Sequence, residues 1–271
     1  MSASPTFTGS APRGTRVRAT LRSEWIKLWS VRSVPVSLVA TAVAMLLGAW
    51  LLGAGYQSEW HEMAASERTS FDPTYACLQS ANLAQLLIGA LGVLTVTGDY
   101  ETGLIRATFT ATPQRGQVLA LRAALFATVV LLLGATVSLA AFAVGQSQFT
   151  EPVPHATLGQ TGVLRAVLGV GLYLMLIAVF GMGLGVLTRS TTLALTALFG
   201  ILLIVPSVLT MLPGRGAEGI LPYLPAVAGS QVLHVVRSGN SLGPWQGTAL
   251  LALYVATTGA AALVMLRRRD V

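Results

Sequence analysis

Six apolar runs, at about residues 34–55, 75–97, 117–144, 163–187, 191–212 and 244–266, constrain this chain more than any other feature. Each reaches the roughly 20 residues that a helix needs to cross a bilayer core about 30 Å thick. Backbone polar groups at that depth have no water to bond, so spans of this length are helical. The second run is the least regular, because Gln79, Asn82 and Gln85 interrupt its first half. Only Thr188, Arg189 and Ser190 separate the fourth run from the fifth, which predicts a tight helical hairpin. Charged residues make up 10% of the 271, against about 25% in soluble domains. So few charges cannot cover a soluble domain of this size. An ordinary cytosolic globule, a disordered chain and a disulfide scaffold are all excluded, the last also because Cys77 is the only cysteine. The expected fold is an all-α integral membrane protein with six transmembrane helices.

The formal charge is +7. The basic residues lie beside the apolar runs, where the fitting partner is anionic membrane lipid, and no nucleic-acid partner is expected. Their distribution is lopsided. Arg13, Arg16, Arg18, Arg22, Lys27 and Arg32 precede the first run; Arg106, Arg115 and Arg122 follow the second; Arg189 sits in the hairpin turn; Arg267, Arg268 and Arg269 follow the sixth. The alternate connections hold only Arg68, Arg165, Arg215 and Arg237, together with Glu59, Glu62, Glu67, Asp72, Glu151 and Glu218. Lys and Arg accumulate on the cytoplasmic side of a membrane. Both termini are therefore expected in the cytoplasm, which requires an even number of spans. The first run and the basic segment before it are too long for a signal peptide, so the run is read as a span.

Residues 1–16 are rich in Ser, Thr, Pro and Gly and are expected to be a disordered tail. In residues 17–33, Val17, Leu21, Trp25, Leu28 and Trp29 fall on one helical face, with Arg16, Arg18, Arg22, Ser23 and Lys27 mostly opposite. A basic helix with Trp and Leu on its apolar face lies in the membrane interface. The alternative is a cytoplasmic extension of the first span; Pro35 favours a break after Ser33 and hence the interfacial helix.

Several chemistries are missing. Lys27 is the only lysine and follows Ile26, so no G-x-x-x-x-G-K-[ST] phosphate loop exists. The chain is read as no enzyme, with no cofactor and no metal site of its own. His61, His155 and His234 sit singly in separate outer connections, where a lone His is usually solvated. The centres of the spans carry no ionisable residue; Arg122 and Arg165 lie near span ends, within snorkelling reach. Ion-coupled carriers usually place such residues inside the membrane. Energy for active transport would then arrive from another subunit.

Three stretches beside the spans remain: Ser-Glu-Trp-Ile-Lys-Leu with Glu24, Trp25, Lys27 and Leu28; Asp-Tyr-Glu-Thr-Gly-Leu-Ile-Arg with Asp99, Glu101 and Arg106, leading to Arg115; and the terminal arginines. In this order around six spans, they make the chain resemble the membrane (permease) subunit of ABC exporters of the type-2 permease family. The resemblance covers the whole chain in layout. It implies an interfacial elbow helix over residues 17–33 ahead of a six-span domain over 34–271. It implies a coupling segment between the second and third spans, with Asp99, Glu101, Arg106 and Arg115 as candidates for docking the ATPase. It implies a cytoplasmic ABC ATPase partner holding ATP and Mg2+, and a second copy of the chain or a related permease. Short non-spanning helices are expected between the fifth and sixth spans. The expected location is the plasma (cytoplasmic) membrane of a bacterium, and the expected cargo class is a drug, lipid or hydrophobic peptide.

Read without the family, Asp99 to Arg115 is either a docking surface or a solvated loop, and Thr112-Pro113 also fits the start of the third span. Gln79, Asn82, Gln85, Gly89 and Gly92 recur every three or four residues. This polar face either lines a translocation path or bonds neighbouring helices. Gly181 and Gly185 carry the G-x-x-x-G spacing of close helix packing. The competing function is a non-transport anchoring or assembly subunit of another complex. A membrane-embedded enzyme is disfavoured by the empty spans.

Overall fold

The computed structural model describes residues 22–23, 25–26, 29, 32–101, 115–212, 219–236 and 241–268, with side chains throughout except at 99–101, 115–118 and 267. The described residues are helices and connections, with no strand. Helices α1 (Ser33–Glu59), α2 (Ala65–Thr69), α3 (Pro73–Leu78), α4 (Ala81–Glu101), α5 (Arg115–Gln146) and α6 (Val163–Thr188) come first. Then follow α7 (Thr191–Phe199), a π turn (Gly200–Ile204), α8 (Val205–Met211), α9 (Pro225–Ser230) between two 3-10 turns, and α10 (Pro244–Arg268). Six helical stretches are long and apolar enough to cross a membrane: Ser33–Glu59, Ala81–Gly98, Leu119–Gln146, Val163–Thr188, Thr191–Met211 and Pro244–Leu266.

All six apolar runs thus become span-length helices, with two departures from the sequence reading. The second run starts later than residue 75. Asp72 and Pro73 open α3 as its N-cap and first residue, because a carboxylate accepts the first free N–H groups and Pro has none to lose. The chain turns at Gln79 and Ser80 before α4 begins, and α1 packs tightly on that corner. A methyl group at Gly48 would lie 2.8 Å from Ser80 Cβ. The fifth span is also not one regular helix. Pro206 has no N–H for the carbonyl four residues back, and the helix widens just before it, where Val205 N–H reaches the Gly200 carbonyl. The first helix begins at Ser33 and carries Pro35 in its first turn, where a missing N–H costs nothing.

The six helices alternate in direction, and α6 is the hub. Most of its residues are buried, and small residues admit a neighbour on several sides. A side chain at Gly181 would collide with the Gly89 carbonyl of α4, and one at Gly92 with the Ala178 carbonyl of α6. A methyl group at Gly171 would lie 2.7 Å from the Leu131 carbonyl oxygen of α5, and one at Gly183 2.7 Å from Thr258 of α10. Ser138 of α5 donates to the Val167 carbonyl at 2.7 Å. Apolar association adds little driving force inside lipid, so contacts this close are what hold helices together there. The hairpin after α6 closes with Arg189 in the left-handed region (φ 52°) and Ser190 capping α7. Leu and Val on the outward faces of α1, α8 and α10 stay exposed.

A second, smaller core lies at one end of the bundle, where α1 ends and α4 begins. Trp60, Ala76, Cys77, Phe149 and Val153 are buried together, with Tyr56, Met63 and Phe71 against them. Phe71 meets Tyr56, Trp60 and Phe149 edge-on, at centroid distances of 5.3, 5.2 and 6.0 Å. Gln146, at the end of α5, donates to the Pro73 carbonyl and accepts from Ala156 N–H, both at 2.9 Å.

Candidate functional site

The sequence singled out three sets of residues, and the structure places them unequally. Glu101 ends α4 and Arg115 opens α5, so these helices lead into and out of the charged stretch. Arg106 lies outside the described residues, and for Asp99, Glu101 and Arg115 only the backbone is described. In the N-terminal segment Glu24, Lys27 and Leu28 lie outside the described residues. Trp25 and Trp29 are exposed, their rings tilted against each other at 5.6 Å.

The polar face of the second run is fully described. Gln79 is on the corner before α4 rather than within a span, and its amide donates to the Tyr56 hydroxyl at 2.9 Å. Asn82 lies beside the Tyr75 hydroxyl. Gln85 is buried, and its Oε1 accepts from the Tyr173 hydroxyl of α6. Each amide therefore meets a tyrosine from a different helix: α1, α3 or α6. Gly89 and Gly92 continue the same face and receive α6 directly. The sequence pattern marked the amides and missed their tyrosine partners, which have no fixed spacing from them.

Above Gln85 the connection between α8 and α10 folds back into the bundle. In α9 and the following 3-10 turn, Pro225, Ala226, Ala228, Gly229, Ser230, Val232 and Leu233 are buried. Gly229 sits against the Tyr173 ring, where a methyl group would lie 2.6 Å from the ring edge. The Tyr173 hydroxyl also lies 3.4 Å from the Ala226 carbonyl oxygen. A side chain at Gly247 of α10 would collide with the Ala228 carbonyl. The short helix found here is thus wedged between α6 and α10, against Tyr173 and Gly247.

Asp72 carries the densest set of polar contacts in this region. Its Oδ1 accepts from Thr74 and Tyr75 N–H, both at 3.0 Å, and caps α3. Its Oδ2 accepts from Val235 N–H at 2.7 Å and Val236 N–H at 2.9 Å. One carboxylate thereby joins the start of α3 to the chain leaving the wedge. His234 stacks on Tyr75 with ring centroids 3.7 Å apart, and Arg165 of α6 donates to the His234 carbonyl at 2.9 Å. The sequence reading of His234 as a solvated loop histidine is therefore corrected: it is half-buried on an aromatic face. Burial pushes its imidazole pKa down, and the nearby Asp72 carboxylate works against that shift. Asp followed by Pro signals a helix start in the sequence; nothing there links Asp72 to residues 235 and 236.

These contacts are suited to holding backbone in place and to closing one end of the bundle. Among the described residues, no three His, Cys, Asp or Glu side chains come together as metal ligands. The search for family models and the search of curated proteins both returned no match.

Proposed function

We propose that the chain is the membrane-spanning permease subunit of an ABC exporter of the type-2 family, working with a separate cytoplasmic ATPase. One observation carries the reading. In a chain with so few charges, Asp99, Glu101, Arg106 and Arg115 are concentrated between the second and third spans, where α4 ends and α5 begins. A charged segment joining two helices that each pack on α6 suits a docking surface, and α4 carries that surface to the centre of the bundle through its contacts with α6. The Ser-Glu-Trp-x-Lys-Leu stretch before the first span and the six-span layout support the same family. On this reading the chain performs no covalent chemistry; ATP and Mg2+ belong to the partner, and a second copy or a related permease completes the pathway. The cargo is amphipathic or apolar: a drug, lipid or hydrophobic peptide.

The test pairs two variants at matched membrane abundance. Changes to solvated surface charges usually alter stability by no more than about ±0.5 kcal/mol, so Glu101→Ala should insert normally. It should reduce co-purification of a co-expressed ABC ATPase subunit, or efflux, while Arg268→Ala does much less. Wild-type behaviour of Glu101→Ala in both assays removes the docking assignment. ATP hydrolysis by the chain freed of every other protein removes the permease reading.

A further inference from the structure

The wedge formed by α9 and its flanking turns fills the space above the buried Gln85–Tyr173 pair, and it is held unevenly. Its inner surface is small and apolar: Ala226, Ala228 and Gly229 rest on Tyr173, Gly247 and Leu251. Its return limb, His234 to Val236, is gripped by polar groups from two other elements. Asp72 accepts both N–H groups of Val235 and Val236, Tyr75 stacks on His234, and Arg165 binds the His234 carbonyl. Val235 is half-buried and Val236 exposed, so the grip lies at the rim of the bundle. Hydrogen bonds to a charged acceptor are about twice as strong as neutral ones, and two of them converge on a single oxygen here.

We propose that Asp72, Tyr75 and Arg165 form a clamp that holds this wedge shut as a lid over the Gln85–Tyr173 pair, and that releasing the clamp opens that polar centre to solution from this end of the bundle. The contacts alone carry the proposal, and it does not require the transport reading. Asp72 is the principal finger, because it alone ties the limb to α3 through main-chain donors. Lifting the limb would withdraw Ala226 and Gly229 from the Tyr173 ring and uncover its hydroxyl.

The lid can be followed by thiol labelling in membranes opened so that reagent reaches both faces. In a Cys77→Ser background, Ser230→Cys reports the underside of the wedge, where Ser230 is buried. Ser138→Cys reports the α5–α6 contact, where Ser138 is fully enclosed and its hydroxyl donates to the Val167 carbonyl. With the clamp intact, neither position should react with an impermeant maleimide. Adding Asp72→Asn should raise labelling at position 230 by about tenfold or more, as expected for losing charge-assisted bonds, and leave position 138 unchanged. Tyr75→Leu and Arg165→Gln should each raise it selectively by a smaller factor. Three results overturn the proposal: brisk labelling at 230 with the clamp intact, no rise in any of the three variants, or equal rises at 230 and 138, which would mean general loosening of the bundle.

Discussion

Tyr173 is fully enclosed, and its hydroxyl finds its main partner in Gln85. Removing one member of a buried polar pair strands the other, at a cost of roughly 1–3 kcal/mol. Tyr173→Phe should therefore lower the thermal unfolding midpoint in detergent, and adding Gln85→Leu should recover much of the loss because the Gln85 amide is then no longer left without its partner. If the single variant melts like the parent, the pair contributes nothing to stability. His234 gives a pH signature of known sign. Burial holds its pKa below the usual value, so the unfolded chain takes up the proton first as pH falls. Its contribution to stability is complete above about pH 6.5 and is lost as pH falls through the lower folded-state value. Between about pH 7.5 and about pH 5.5 the melting midpoint of the parent should drop more than that of His234→Phe, which keeps a ring to stack on Tyr75. Equal drops would assign the pH dependence to other groups.

Between elements, the α4–α6 contact depends on absent side chains. Gly92→Ala should destabilise the bundle by roughly 1–3 kcal/mol, the usual cost of overpacking, because its methyl group meets the Ala178 backbone. Gly98→Ala, further along the same helix with open space beside it, should be close to neutral. Size-exclusion profiles after graded heating would separate the two; equal behaviour would mean that α4 and α6 sit further apart. The N-terminal segment tests whether a helix lies on the bilayer or extends into water. With Trp50, Trp60 and Trp245 replaced by Phe, emission from Trp25 and Trp29 should be quenched by lipids brominated near the headgroup. Strong acrylamide quenching with no effect of the brominated lipids would favour a cytoplasmic extension of the first span instead.

For the molecule as a whole, helix alternation places the Ser33 end of α1 and the Arg268 end of α10 on the side of the Arg189 turn, and the lysine and arginine bias expects that side to face the cytoplasm. In a Cys77→Ser background, Glu62→Cys should react with an impermeant thiol reagent on intact cells and Arg268→Cys should not; the reverse pattern inverts the orientation. The number of spans, their approximate limits and the tight turn at residues 188–190 were legible in the sequence, because bilayer thickness imposes a length and an apolarity that residues report one at a time. The close packing of Gly181 was legible too, as spacing along a single helix. Contacts between distant segments were not. Gln79, Asn82 and Gln85 were marked as polar, but their partners Tyr56, Tyr75 and Tyr173 come from three other helices. Asp72 read as one more acidic residue of an outer connection, and His234 as a solvated one. Only the packed bundle brings the main chain of residues 235 and 236 to that carboxylate, since main-chain N–H groups are the same at every position and leave no trace in the sequence. Sequence alone determined how many helices are long and apolar enough to cross a membrane and where the charges between them fall. Tertiary structure decided which polar groups meet and what closes the end of the bundle, because those pairings depend on the lateral arrangement of helices, which apolarity does not encode.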